Sequence, residues 1–245
     1  MPPPRRPAAA AKGVPATPTC LLLDLDGTLV DSASGITASV TAALTRIGVP
    51  VPDADTLRSF VGPPMYQSFR EVIGLDEVTA QRALQLYRTD YADRGILDGK
   101  VYDGVPGLLK QLAAAGMPMA VATSKVEDQA VRITEHHGLA RHLRTVCGTS
   151  DAAARTGKRE VIRECLRRLR TAGVDTARPL MVGDRGYDVL SAAAEGIPAI
   201  RVLWGYGTSA ESARALATAD SPGALAHLLL PSPAPDTCAL APRSS

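Results

Sequence analysis

Short apolar runs alternate along the chain with stretches in which apolar residues recur every three or four positions. The runs are typical of buried strands and predict five of them, at 20–25, 118–122, 143–147, 179–182 and 198–203. The stretches between them predict helices. One example is 105–116, where Val105, Leu108 and Leu112 share a face and Gly116 suits the C-terminal end. Strands that alternate with helices of this length predict an α/β fold with a doubly wound, Rossmann-like parallel sheet.

The interval 34–100 breaks this alternation, because it has helical patterns and no convincing strand. Three apolar stripes predict three helices: Ile36, Val40, Leu44 and Ile47; Met65, Phe69, Val72 and Ile73; Leu84, Tyr87 and Tyr91. Because sites in open α/β sheets lie beyond the carboxyl ends of the strands, an insertion that follows the first strand would cover such a site. We therefore predict a Rossmann-like core of 19–33 and 101–230 and a small all-helical cap of 34–100.

Composition and charge limit the classes of protein to which this chain can belong. The net charge of +2 gives no indication of nucleic-acid binding, and no apolar run approaches the roughly 18 residues of a membrane span. The four cysteines are scattered, without metal-ligand or disulfide spacing, so a reducing, cytoplasmic location is expected. The segment 1–18 is rich in proline and alanine and lacks a signal-peptide core. It and 231–245 are predicted to be disordered tails.

The stretch LLLDLDGTLVDS, at 21–32, places two aspartates directly after the first predicted strand. Side chains alternate along a strand, so Asp24 and Asp26 point to the same side. Two carboxylates this close repel each other unless a cation or a shared proton relieves them. Gly27 allows the backbone to turn sharply and bring its N–H groups close to a ligand.

Other strand ends supply matching chemistry. MAVATSK ends in Thr123, Ser124 and Lys125, and LMVGDRGYD ends in Asp184 with Asp188 four residues later; Lys158 opens the helix between these strands. Several carboxylates together favour a hard divalent cation, usually Mg²⁺, while hydroxyl, ammonium and N–H groups suit a phosphoryl group. The set predicts phosphoryl transfer through an aspartyl-phosphate.

These motifs resemble those of the haloacid dehalogenase-like hydrolases, specifically phosphatases with a helical cap after the first strand. DLDGT resembles the first motif, VATS the second, Lys158 the third and GDRGYD the fourth, over about 19–230. The resemblance implies that Asp24 is the nucleophile and a metal ligand. It also implies that Asp26 is the general acid and base and binds the metal through its backbone carbonyl.

The same resemblance implies roles for the remaining site residues. Gly27, Thr123, Ser124 and Lys158 would bind the phosphoryl group, with Lys125 as the competing lysine. Asp184 would bind Mg²⁺, and Asp188 would hold it directly or through water. Asp188 also suits a helix cap, and the two roles are compatible. Because Asp26 is present, a proton can reach an ester oxygen, which favours phosphate monoesters.

FVGPPMYQSF and YADRGILDGKVYDGV resemble the branch of phosphoglycolate phosphatases and related 5′-nucleotidases. This implies a small phosphorylated metabolite as substrate and a cap specificity loop, for which Gly62, Pro63, Tyr66 and Arg70 are the candidates. The alternative is that the two prolines of this loop only separate helices. A sugar-phosphate mutase and a receiver-like phosphoacceptor module are the alternative functions.

Overall fold

The computed structural model describes residues 17–230, so the predicted tails lie outside the described residues apart from Thr17 and Pro18. The strands are β1 (Cys20–Leu23), β2 (Val30–Asp31), β3 (Lys100–Val101), β4 (Met119–Val126), β5 (Thr145–Thr149), β6 (Pro179–Gly183), β7 (Ala199–Val202) and β8 (Ala217–Ala219). The helices are α1 (Ala33–Arg46), α2 (Ala54–Arg58), α3 (Met65–Glu71), α4 (Glu77–Asp90), α5 (Val105–Ala114), α6 (Glu127–His136), α7 (Lys158–Thr171), α8 (Gly186–Ala194) and α9 (Pro222–Leu229).

Six strands form a parallel sheet in the order β5-β4-β1-β6-β7-β8. In this order β1 is central, with Leu21 opposite Met119 on one side and Leu180 on the other. All four residues of β1 are buried, and they alternate between two apolar clusters, Leu21 and Leu23 on one face and Cys20 and Leu22 on the other. A strand covered on both faces reads as a continuous apolar run, and the predicted doubly wound fold is confirmed.

The helices α1 to α4 lie between β2 and β3 and form the cap. A π-helical turn, Tyr91–Gly95, follows α4. The strands β2 and β3 pair antiparallel, with Val30 opposite Val101, so the chain enters and leaves the cap through two adjacent strands. The domain boundaries given above stay a prediction.

Four local features differ from the sequence prediction. The short helix α2, the outer strand β8 and the β2–β3 pair were not predicted, because each is too short to show a periodic pattern. The strand β4 continues four residues beyond the predicted end at 122 and reaches Val126. Within residues 17–230, no helix combines the length and the apolar character that crossing a membrane requires.

Candidate active site

The carboxyl end of β1 leads directly into the first acidic pair. The backbone N–H of Asp24 donates to the carbonyl of Val182 on β6 at 2.8 Å, which holds Asp24 at the edge of the sheet. The chain then turns tightly through Gly27, whose φ of 80° is in the left-handed region that favours glycine. The side chains of Asp24 and Asp26 are both buried, so neither is an ordinary surface carboxylate of a turn.

Lys158 lies between two of the acidic residues. It is the first residue of α7, is 1% exposed, and places its ammonium 2.6 Å from Asp24 Oδ1 and 2.6 Å from Asp188 Oδ1. Burial acts to lower its pKa, but these two carboxylates outweigh burial and raise it. The lysine that contacts Asp24 is therefore Lys158, and it is charged at neutral pH.

Asp184 and Asp188 follow β6. The carboxylate of Asp184 accepts the backbone N–H of Tyr206 at 2.7 Å. It is closely enclosed by glycines, since a Cβ at Gly27 would lie 2.3 Å from Asp184 Oδ2 and one at Gly205 would lie 2.4 Å from the same oxygen. Asp188 accepts the backbone N–H of Arg185 at 3.1 Å and thereby caps α8. Both oxygens of Asp188 thus have partners. Oδ2 accepts the Arg185 N–H at the start of α8, and Oδ1 contacts the ammonium of Lys158.

The residues present fit a divalent cation. One carboxylate oxygen from each of Asp24, Asp184 and Asp188 lies within 4.8 Å of the others, and all three residues are buried. Burial and the carboxylate of Asp188 raise the pKa of Asp24 to about 7, although Lys158 acts to lower it. Burial and the carboxylates of Asp188 and Asp24 raise the pKa of Asp184 to about 8. The raised pKa values show that Lys158 alone does not balance these buried carboxylates when they are ionised, and a hard cation with oxygen ligands suits them.

The segment 123–125 lies where the register of β4 against β5 shifts. Ala122 is opposite Cys147, but Val126 is opposite Thr149, so β4 has two extra residues in this interval. Irregularities of this kind are common next to active sites, because they change the direction in which a side chain points. The Thr123 hydroxyl accepts the backbone N–H of Lys125 at 3.2 Å. The Ser124 hydroxyl is buried and has no hydrogen-bond partner among residues 17–230.

Lys125 contacts the second aspartate rather than the first. Its ammonium lies 3.2 Å from Asp26 Oδ2 and 2.8 Å from the hydroxyl of Tyr91 in the cap. Burial acts to lower the pKa of Lys125, but the Asp26 carboxylate outweighs it and the pKa is raised. The other oxygen of Asp26 accepts the Ser32 hydroxyl at 2.5 Å.

A cavity of about 510 Å³ opens between the cap and the core, beside Asp26, Ser124 and Lys125. Of the predicted specificity residues, Gly62, Pro63 and Tyr66 line it. Arg70 is not a lining residue, since its guanidinium donates to the carbonyl of Leu75 at 2.7 Å, close to the C-terminal end of α3. Nothing in this arrangement supports a place for Arg70 beside a substrate.

Two residues that support the site were not assigned to it from the sequence. Arg201 on β7 is 1% exposed and donates to the Asp184 carbonyl at 2.9 Å. The sequence could have indicated a role for Arg201, because an arginine within an otherwise apolar strand needs an internal partner. Tyr206 joins Asp184 to the start of the cap: its N–H contacts Asp184, and its hydroxyl contacts Asp31 and accepts the N–H of Ala33 at 3.1 Å. No sequence pattern indicated these partners.

A parallel α/β sheet with three buried carboxylates, a lysine and hydroxyl groups at the end of its central strands defines a protein equipped for phosphoryl chemistry. The family model of the haloacid dehalogenase-like hydrolases matches residues 21–202. The chain belongs to this family.

Curated relatives differ in their names. The tyrosine-protein kinase PtkA of Mycobacterium tuberculosis is 44% identical over 191 residues, covering 78% of this chain and 64% of PtkA. This chain therefore spans less than two thirds of the length of that relative. A 5′-nucleotidase of Pseudomonas aeruginosa is 39% identical over 78% of this chain and 85% of its own length. A plasmid-encoded phosphoglycolate phosphatase of Cupriavidus necator is 33% identical over 87% of this chain and 94% of its own length.

A solved structure gives the same family assignment. The crystal structure of a predicted phosphatase from Clostridium acetobutylicum superposes with a TM-score of 0.80 at 37% sequence identity. The superposition covers 86% of this chain and 97% of that one.

Proposed function

We propose that this chain is a Mg²⁺-dependent phosphatase that hydrolyses a small phosphate monoester through an aspartyl-phosphate on Asp24. The observation that carries the proposal is the position of Lys158, bound at 2.6 Å to both Asp24 and Asp188 within a cluster of three buried carboxylates. Membership of the hydrolase family supports it.

In the first step, an oxygen of Asp24 attacks phosphorus and the bond to the leaving oxygen breaks. Lys158 favours the ionised form of Asp24 and offsets the charge that gathers around the phosphoryl group. Thr123 and Ser124, whose hydroxyl has no hydrogen-bond partner among residues 17–230, would hold phosphoryl oxygens. The expected phosphate-binding role of Gly27 is not supported, because its backbone N–H donates to the carbonyl of Val30 at 2.9 Å within the turn.

Asp26 handles the proton in both steps. It gives a proton to the leaving oxygen as the P–O bond breaks, and the alcohol departs. It then takes a proton from a water molecule whose oxygen attacks the phosphorus of the aspartyl-phosphate, which releases inorganic phosphate and regenerates the Asp24 carboxylate.

Asp24, Asp184 and the backbone carbonyl of Asp26 would hold Mg²⁺. We assign Asp188 to Lys158 and to a contact with the ion through water, because both of its oxygens already have partners. When bound, the ion would supply Lewis-acid neutralisation of the phosphoryl oxygens.

The cavity supports an uncharged leaving group. Among residues 17–230, the cationic residues that line it are Lys125, paired with Asp26, and Arg88, paired with Asp151 at 2.9 Å, so this part of the chain offers no unpaired cation for the carboxylate of phosphoglycolate. Four glutamine side chains line the wall: Gln67, Gln81, Gln85 and Gln129. Amides that donate and accept, beside Tyr66, suit a nucleoside, so a nucleoside 5′-monophosphate is the proposed substrate. A cytoplasmic location is proposed with it, which the buried free thiols of Cys20, Cys147 and Cys165 support.

Release of phosphate from p-nitrophenyl phosphate tests the reaction. We expect turnover in MgCl₂, loss of turnover in EDTA, and loss of turnover in Asp24→Asn, while Asp103→Asn, the same change at an exposed position, keeps it. Acid-quenched wild-type protein should carry a hydroxylamine-sensitive phosphoryl label that Asp24→Asn lacks. Full turnover by Asp24→Asn would remove the mechanism.

Relative kcat/KM values test the substrate. Nucleoside 5′-monophosphates should be preferred to phosphoglycolate, and Gln81→Leu should reduce that preference without changing turnover of p-nitrophenyl phosphate. A preference for phosphoglycolate in the wild-type protein would reject the nucleoside assignment and leave the reaction in place.

The second candidate function is transfer of the phosphoryl group to an acceptor other than water. The 44% identity to a protein named tyrosine-protein kinase favours this candidate. A kinase would label tyrosine in an added protein substrate from [γ-³²P]ATP, and a phosphomutase would give an isomerised sugar phosphate without free phosphate. A long-lived phosphoenzyme with negligible turnover would indicate a receiver-like module instead.

A further inference from the structure

Asp26 is held by a hydrogen bond from a hydroxyl and by an ion pair with an ammonium, and both partners are tied to the cap. Oδ1 accepts the hydroxyl of Ser32, the residue immediately before α1, where the chain enters the cap. Oδ2 contacts the ammonium of Lys125 at 3.2 Å. That ammonium donates to the hydroxyl of Tyr91, which follows α4 in the last helical turn of the cap.

The contacts of Lys125 are unusually constrained for a lysine. Its side chain is 4% exposed, Tyr91 is fully buried, and the ammonium lies 4.3 Å from the centre of the Tyr91 ring as well as 2.8 Å from its hydroxyl. A second ring, that of Tyr87, stacks on Tyr91 at 5.5 Å. A buried ammonium without partners is costly, so Lys125 depends on Asp26 and Tyr91 together.

We propose that Lys125 is a positioning residue that fixes the carboxyl group of Asp26 for proton transfer, and that Tyr91 makes this positioning depend on the cap. The proposal rests on the phosphatase function proposed above. With one polar partner on each oxygen, the Asp26 carboxyl group is held in one orientation, and the two partners are tied to the first and the last helical segments of the cap. The acid is therefore correctly placed only when both segments lie against the core.

If Lys125 positions Asp26, its replacement should slow the hydrolysis of some esters more than that of others. A leaving group that departs readily as an anion needs little help from an acid, whereas a more basic one needs the proton. The test compares kcat/KM for phenyl phosphate and p-nitrophenyl phosphate, which differ little in size but strongly in leaving-group basicity. The ratio of these two kcat/KM values reports only the step that forms the phosphoenzyme.

Lys125→Met should lower kcat/KM for phenyl phosphate by about 10- to 100-fold and for p-nitrophenyl phosphate by less than about threefold. This loss is part of the roughly 10²- to 10⁴-fold that general acid–base catalysis provides. Lys125→Arg, which keeps a cationic donor, should restore part of the loss for phenyl phosphate. Tyr91→Phe removes only the hydroxyl and keeps the ring beneath the ammonium, so it should change the ratio in the same direction but by less.

Lys110→Met is the matched control, because Lys110 is exposed on α5. An equal loss for both esters in Lys125→Met would overturn the proposal, since it would indicate general damage to the site. So would an unchanged ratio in a folded Tyr91→Phe protein, which keeps the test decisive if Lys125→Met does not fold. A wild-type protein that hydrolyses neither ester would instead overturn the phosphatase function on which the proposal rests.

Discussion

Replacement of Lys158 by methionine should destabilise the metal-free protein strongly. The side chain is 1% exposed, and its ammonium contacts Asp24 and Asp188 at 2.6 Å each. Among residues 17–230, no other cation forms an ion pair with either carboxylate. The variant would therefore leave a group of buried carboxylates, including Asp184, without a balancing charge.

The magnitude follows from the burial of this ion pair. Removal of one partner of a buried ion pair costs about 3–5 kcal/mol, because the remaining charge stays desolvated. For a chain of this size, 1 kcal/mol corresponds to roughly 2–4 °C in Tm, so a decrease of about 6–20 °C is expected in EDTA at pH 8. The decrease should shrink at pH 6, where protons neutralise the carboxylates, and also in saturating MgCl₂.

Differential scanning fluorimetry of Lys158→Met and wild-type protein measures this effect, with Lys110→Met as the exposed control. Urea unfolding at 25 °C gives the free energy directly. A Lys158→Met protein as stable as wild type in EDTA at pH 8 would refute the reasoning, because the two carboxylates could not then be ionised beside Lys158. A decrease that is the same at pH 6 and pH 8 would show that lost packing, not charge, is responsible.

Three further predictions concern the surroundings of Asp184. The pKa values of Asp24 and Asp184 are raised from 3.8 to about 7 and about 8. Between these lower and upper values of pH, the folded metal-free protein therefore binds more protons than the unfolded chain. Its Tm should therefore fall as pH rises from about 5 to 8, and a Tm that rises instead would contradict the assignment; MgCl₂ should flatten the slope. Gly27→Ala should raise the Mg²⁺ concentration needed for half-maximal activity, because its Cβ would lie 2.3 Å from the Asp184 carboxylate. Gly48→Ala is the matched control. Gly48 also has a positive φ, of 73°, but a Cβ there would have no atom within 4 Å, so this variant should lose only about 1–2 kcal/mol of stability through backbone strain. Arg201→Met should lower the free energy of urea unfolding by about 1–3 kcal/mol, since it leaves the Asp184 carbonyl and the Ser212 hydroxyl without a donor; an unchanged value would show that these groups find other partners.

Much of the site was predictable because its residues follow strands. Asp24 and Asp184 come directly after β1 and β6, and parallel neighbours end at the same edge, so apolar runs alone bring these carboxylates together. The position of Lys158 at the start of α7 was predictable because the apolar pattern of that helix begins directly after it. The family assignment and the fold are confirmed.

The partners of individual side chains were not predictable. Nothing in the spacing of TSK shows that two extra residues in β4 direct Lys125 to Asp26 and not to Asp24. Tyr91 belongs to an apolar stripe in the sequence, but its hydroxyl accepts from a lysine of the core. Arg70 was expected near the leaving group, yet it bonds to a carbonyl of its own segment, since a long side chain near a helix end has a local acceptor within reach.

The antiparallel pairing of β2 with β3 has a consequence for how substrate range can change. Both connections between the cap and the core pass through one hydrogen-bonded pair, Val30 opposite Val101 and Asp31 opposite Lys100. Insertions or exchanges within 33–95 therefore leave the sheet and its acidic edge intact. Selection can act on substrate choice in one continuous stretch of the gene, while the acidic cluster of Asp24, Asp184 and Asp188 is encoded outside it; within that stretch, Tyr91 must be kept for its contact with Lys125.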